Sequence, residues 1–227
     1  IKVPMLIAAI AALGGAFVSP VSHSSHSAGC AFAFLEEHVG PPQNVPAQTA
    51  PNWKPHAADP KEKHLTNLRQ LTFGGQNAEA YWSRDGKPIV YQTRHPEFPA
   101  EQLFVMDADG SNKTLVSTGL GRCTCSYISP DFKWIYFSST HGVNPGAQKP
   151  VDMSKGYVWM VNPDFDVYRT SAKPFLQGKR PSQPQYEKIL DVAGYVAETT
   201  IAPNNRYMTF TMTLNGDLDI YRSNLDG

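Results

Sequence analysis

The chain has 227 residues with 20 basic and 20 acidic side chains, so its formal charge is zero. That balance gives no net basic surface for nucleic acid, whose binding depends on neutralising phosphates. A hydrophobic content of 41% supports a real core, and 19 prolines and 17 glycines beside 10 Tyr and 11 Phe favour strands and turns over long helices.

The one segment that reads as a good helix comes first. From about Val3 to Val18 it is apolar, with Lys2 before it and no charge until Glu36. At about 1.5 Å per residue that run spans about 24 Å, slightly short of a hydrocarbon core of about 30 Å, and the uncharged residues up to Ser22 extend it. A secretory signal has a similar outline. The expectation is a retained membrane-anchor helix over residues 1–22, with Ala8, Ala12, Gly14, Gly15 and Ala16 allowing close packing on a neighbouring helix. Lys2 places residue 1 in the cytoplasm and the body across the membrane.

Three cysteines follow: Cys30, Cys123 and Cys125. Cys30 comes after Ser27-Ala28-Gly29, which matches a lipoprotein signal only in part, because Ser27 stands where that signal has an aliphatic residue. Cys123 and Cys125 lie two apart in an expected strand, so alternation puts both thiols on one face, where they read as two small, half-buried groups. His141 is the only nearby candidate for a further ligand, and His23, His26 and Cys30 sit in a polar run, so no metal site is expected.

Residues 23–64 read as an extended linker, kept out of helix and sheet by Pro41, Pro42, Pro46, Pro51, Pro55 and Pro60. Phe32, Phe34, Leu35 and Trp53 are large apolar groups for a linker. They anchor this strap either on a partner or on the chain's own body.

From residue 65 the sequence repeats itself. Ala78-Glu79 and Trp82-Ser83-Arg84-Asp85-Gly86 align with Ala197-Glu198 and Ile201-Ala202-Pro203-Asn204-Asn205, and a middle copy has Ile128-Ser129-Pro130-Asp131-Phe132. In each copy a strand ends at a turn of the Ser-x-Asp-Gly kind and the next strand alternates. Ile89, Tyr91 and Thr93 oppose Val90 and Gln92; Tyr207, Thr209 and Thr211 oppose Met208, Phe210 and Met212. A sheet apolar on both faces must stack on neighbours. The reading is all-β: about three propeller-type antiparallel blades, near 65–118, 119–185 and 186–227, behind an N-terminal hydrophobic helix and a proline-rich linker. Closed propellers use about four to eight blades. The expectation is therefore a chain that continues past Gly227, or an open arc whose flank a partner covers.

The pattern Leu71-Thr72, Ala78-Glu79, Trp82-Ser83-x-Asp85-Gly86-Lys87, Ile89-Val90-Tyr91 and Phe104-Val105-Met106-Asp107-x-Asp109-Gly110 resembles the TolB-like propeller repeat over residues 65–227. The second copy departs from it at Phe132 and the third at Asn204-Asn205. The resemblance implies a periplasmic or exported protein with a non-catalytic binding role.

There is no Gly-x-Ser-x-Gly elbow, no phosphate-binding Gly loop and no zinc spacing, so no catalytic residue, cofactor or metal is expected. Asp107-x-Asp109-Gly110-x-Asn112 resembles part of a calcium loop but lacks the distal Glu and reads as a turn. Glu79 and Glu198 recur at equivalent places and are expected to accept backbone or Arg hydrogen bonds between blades, since Cys125 interrupts any ring of carboxylates. Insertions in the second copy, at about 141–163 and 172–190, carry Tyr157, Trp159 and Phe175 among Lys149, Lys155, Lys179 and Arg180. These aromatics, with Phe32, Phe34 and Trp53, are the candidate contacts for other protein subunits, although the insertions could instead cap their own blade. The functional expectation is an accessory subunit on the periplasmic face of a membrane complex, respiratory or photosynthetic, in the bacterial cell envelope and anchored in the inner membrane. A TolB-like ligand-binding or envelope-trafficking propeller, or the propeller domain of a longer peptidase, are the alternatives.

Overall fold

The computed structural model describes residues 53–149 and 151–227. The anchor helix and the strap up to residue 52, with Cys30, Phe32 and Phe34, lie outside the described residues. Among the described residues no helix is long and apolar enough to cross a membrane.

Strands β1 (Lys54–Pro55) and β2 (Arg69–Gln70) pair antiparallel, so the segment around Lys54 folds back onto the start of the repeat region. The first blade follows with β3 (Gln76–Trp82), β4 (Pro88–Arg94), β5 (Gln102–Asp107) and β6 (Thr114–Leu115), hydrogen-bonded in that order. Its successor contains β7 (Cys123–Ile128), β8 (Trp134–Ser139), β9 (Asp166–Ser171), the short helix α1 (Ala172–Leu176) and β10 (Glu187–Leu190). Strand β10 completes this second sheet by pairing with β9, where Arg169 grips Glu187 through two bonds of 2.8 and 3.0 Å; the boundary between the second and third units therefore lies beyond Leu190, not near residue 186. The third blade has β11 (Val196–Ile201), β12 (Tyr207–Leu214) and β13 (Asp217–Asn224).

One turn recurs three times. Gly86 N–H donates to Ser83 O, Phe132 N–H to Ser129 O and Asn205 N–H to Ala202 O, each at 2.8 to 3.0 Å. In the first two copies the serine hydroxyl also binds the turn aspartate, Asp85 at 2.8 Å and Asp131 at 2.7 Å. The fourth turn residue needs positive φ in every copy: Gly86 at 69°, Phe132 at 60° and Asn205 at 54°. Glycine takes that conformation freely, whereas phenylalanine is strained in it. Phe132 is partly buried against α1 and the core, which offsets the strain.

The blades stack through two apolar seams, with the strand faces assigned by alternation. Val90, Leu103 and Val105 of the first blade meet Cys123, Ile128, Ile135 and Phe137 of the second. Tyr136 and Val167 on the other face meet Val196, Ile201, Met208 and Phe210 of the third. Polar clasps lock the seams. Arg180 donates to Leu115 O and Ser117 O at 2.7 and 2.8 Å, and Tyr186 donates to Val116 O at 2.8 Å, so the second insertion straps β6 to its own blade. Arg169 reaches Leu225 O at 3.2 Å and fixes the end of the third blade. Strand β13 carries no fourth strand among the described residues, and Ile220 near its centre is 82% exposed.

Candidate functional site

Two surfaces can do chemistry or make contacts, and the topology sets both. The β8–β9 connection and the β12–β13 hairpin turn at the same end of the sheets, because both follow the second strand of their blade. Six large apolar side chains of the β8–β9 connection are exposed: Val143, Met153, Tyr157, Val158, Trp159 and Val161. Tyr157 is 84% and Trp159 52% exposed. Leu214, at the Asn215-Gly216 hairpin tip, is exposed at the same end. The opposite end carries the three repeated turns with Arg84, Asp85, Lys87, Asp131, Lys133, Asn204 and Arg206, beside the exposed rings of Trp82 and Tyr207. Trp159 is steadied edge-on by Tyr195 at 6.3 Å, and Tyr195 in turn by Phe165 at 6.0 Å, so this apolar end has an aromatic support beneath it.

The sequence-derived contacts divide. Tyr157 and Trp159 lie together on the exposed insertion. Trp53 is partly exposed with the Arg69 guanidinium over its ring at 4.6 Å, and is thereby held by the chain's own β1–β2 pair. Phe175 is not a surface contact. At 1% exposure it is buried in the seam between the first two blades, because α1 folds its apolar side, Ala172 and Phe175, inward under the Arg180 clasp.

The second surface lies along the inner strands. Glu79, Cys125 and Glu198 occupy equivalent positions of β3, β7 and β11, and all three adopt left-handed backbone, with φ of 50°, 50° and 62°. At each one the register with the next strand shifts, between Ala78 and Tyr81, Thr124 and Tyr127, and Ala197 and Thr200. These are β-bulges, in which one strand carries an extra residue and bends. The matched, half-buried surroundings expected for the two cysteines do not hold: the bulge begins at Cys125 itself, directly after the regularly paired Thr124. Cys123 is fully buried, its Sγ 3.1 Å from Ser139 Oγ, whereas Cys125 is half-buried beside Thr124 Oγ1 at 3.2 Å.

Nor do the carboxylates accept bonds between blades. Glu79 accepts from the Tyr81 hydroxyl and Glu198 from Thr211 Oγ1 at 2.9 Å, each within its own sheet. Both charges still act on a common neighbour. Burial first, then Glu79 and Glu198, push the Cys125 thiol up to about 11. Tyr81 is raised by its bond to Glu79 first, and also by Glu198, which places both acidic bulges in one electrostatic neighbourhood. Among the described residues neither carboxylate has an ion-pair partner. Sequence reasoning aligned Glu79 with Glu198 but missed the bulge, because none of the three positions is a glycine that would announce positive φ.

The calcium-like segment closes on itself. Asp107 accepts from Asn112 Nδ2 at 2.6 Å, and Asp109 accepts from Ser111 N–H at 3.0 Å.

No family model and no curated protein matches the chain. Solved structures do. TolB from Acinetobacter baumannii superposes at 15% identity and TM-score 0.50 over 70% of this chain and 33% of that one. Kuenenia stuttgartiensis hydrazine synthase superposes at 15% identity and TM-score 0.50 over 71% of this chain and 26% of that one. A protein of Agrobacterium tumefaciens assigned to TolB has 21% identity and TM-score 0.48 over 69% of this chain and 48% of that one. The chain thus spans less than half of each of these proteins. Three stacked antiparallel sheets, a repeated Ser-x-Asp-Gly turn and these superpositions together give the chain a TolB-like β-propeller fold.

Proposed function

We propose that this chain is a non-catalytic interaction module of the bacterial envelope that docks on other protein subunits of a membrane complex through the exposed end of its second blade. The observation that carries this reading is the insertion between β8 and β9, where six large apolar side chains stand in solvent beside Lys149 and Lys155. Large apolar side chains gathered in one exposed loop mark contact surfaces, and aromatic residues dominate interface energetics. The periplasmic side follows from the TolB-like fold by analogy, and the tether from the apolar stretch at residues 3–18. The test is solubilisation of native membranes in mild detergent and recovery of the tagged chain, unaltered and as the Tyr157→Ser, Trp159→Ser double variant. Co-purifying subunits should fall at least tenfold with the variant while its melting temperature is kept. Equal recovery would remove the insertion from the interface.

A second reading draws on the bulges. A TolB-like periplasmic ligand-binding propeller would use the unpaired carboxylates Glu79 and Glu198 at the inner strands, and it predicts a Glu79→Gln, Glu198→Gln protein that keeps its subunits but loses its ligand.

A further inference from the structure

The docking insertion is rooted on one imidazole. His141 directly follows β8 and Thr140, and its ring lies 4.3 Å from that of Tyr168 and 5.9 Å from that of Tyr186. Its Nδ1 is 2.7 Å from Ser139 Oγ, which is itself 3.1 Å from the buried Cys123 Sγ. Around this ring the insertion starts with a tight turn. Val143 and Asn144 N–H donate to Thr140 O at 3.0 and 2.7 Å, and Gly121 N–H donates to Pro145 O at 2.6 Å. Gly142 lies directly under the Tyr168 hydroxyl, where a Cβ has no room.

We propose that His141 is an acid-operated latch: when its ring gains a proton, the root of the insertion, residues 140–145, releases from the second blade and the docking surface is lost while the sheets stay folded. The proposal rests on the docking role given to the insertion above. Its basis is the company the ring keeps. The ring packs on Tyr168 of β9 and Tyr186 of the α1–β10 connection, whose hydroxyl also receives Arg180 at 3.4 Å; the charged groups Asp166 of β9, Lys188 of β10 and Asp191 of the loop after it surround Tyr168, and of these the Lys188 charge acts on His141. Asp164, at the far root of the insertion, is held by Asn144 Nδ2 at 3.3 Å. Lys188 Nζ is 3.0 Å from Asp166 and 3.3 Å from Asp191, so both carboxylates already serve a cation. An imidazolium here would be a second cation beside Lys188, packed against aromatic rings, and burying a charge without its own counter-ion is unfavourable.

Burial, and then the Lys188 charge, hold His141 down to about 4. In an opened root the ring would return to about 6.5. The closed root is therefore favoured in full above about pH 6.5 and weakens as pH falls. By about pH 4 the preference for closure has dropped roughly 160-fold, and it approaches its full loss of roughly 300-fold only near pH 3.

Pulsed hydrogen–deuterium exchange on the full chain, with rates corrected for intrinsic pH dependence, tests this directly. Amides of residues 140–144 should lose protection reversibly between pH 6 and 4, while amides of β8 and β9 keep theirs. His141→Phe retains a ring against Tyr168 but cannot charge, so its root should stay protected to pH 4. His141→Ala should be open at pH 7 as well. Loss of protection in His141→Phe at the same pH as the parent, or full protection of the parent at pH 4, would overturn the latch. Neither exchange result depends on a partner, so an insertion that opens with acid but captures no subunits at pH 7 would refute the docking role alone.

Discussion

The side-chain oxygen of Gln92 in the first blade accepts a hydrogen bond from the backbone N–H of Cys125 in the second, at 3.3 Å, and another from Thr124 Oγ1 at 2.5 Å. The bulge of β7 is thus held from across the seam, in addition to its own sheet. A bulge leaves one residue outside the ladder, and its N–H needs a partner if it is not to remain orphaned.

Removing that oxygen should loosen the seam. Gln92→Ala should lower unfolding stability by about 1 kcal/mol, the usual worth of a hydrogen bond between half-buried groups. Urea denaturation followed by tryptophan fluorescence would measure it. Thr124→Val should cost less in the Gln92→Ala background than in the parent, because the acceptor it served has gone. Equal losses in both backgrounds would mean that Gln92 does not hold the bulge.

At the first repeated turn, Gly86 has a φ of 69° and an added Cβ would meet nothing within 4 Å. Gly86→Ala should therefore destabilise by about 1–2 kcal/mol from backbone strain alone, and Gly86→Asn by less, since Asn205 already fills the equivalent place in the third copy. A thermal melt of the two variants decides it; alanine and asparagine of equal stability would show that φ does not govern this turn.

These turns were legible in the sequence because their chemistry is local: a serine, an aspartate and a glycine within four residues determine the bend. The alternation of β4 and β12 was legible for the same reason, and Val90 and Met208 do lie in the seams. Phe175 was misread because its burial depends on where a five-residue helix lands, and that is decided by Arg180 reaching carbonyls 65 and 63 positions away in sequence. The bulges were invisible for a different reason. Glu79 and Glu198 share a carboxylate that Cys125 lacks, none of the three favours positive φ as glycine does, and their common backbone conformation comes from the bend of the inner strand.

Arg180 supplies the third prediction. One of its guanidinium nitrogens donates to two backbone carbonyls of the neighbouring blade, at 2.7 and 2.8 Å. Hydrogen bonds from a charged donor contribute about 1.5–3 kcal/mol each. Arg180→Ala should lower stability by about 2–4 kcal/mol and expose Phe175, read as dye binding to apolar surface. Arg180→Lys should recover little, because a single ammonium cannot reproduce the planar fork that also reaches Tyr186. Full recovery by lysine would show that charge alone, without geometry, closes the seam.

The two described cysteines should differ from an ordinary thiol and from each other. Burial drives Cys123 up to about 11, and burial with the charges of Glu79 and Glu198 drives Cys125 to about 11 as well. The thiolate is the reactive form, and a pKa near 11 leaves on the order of 10² times less of it at pH 7 than a free cysteine of about 8.5 has. Iodoacetamide labelling of the folded protein, read peptide by peptide, should accordingly be slow at Cys125 and rise about tenfold for each pH unit up to about 10. Cys123 is fully buried and should label only as fast as the chain opens, with little dependence on pH in that range. Glu79→Gln and Glu198→Gln each remove a charge that raises Cys125 and should speed its labelling modestly, about two- to threefold, because burial remains the larger cause. Unchanged labelling in the double variant would place the carboxylates too far from the thiol to act on it, and would dissolve the inner-strand cluster as a site.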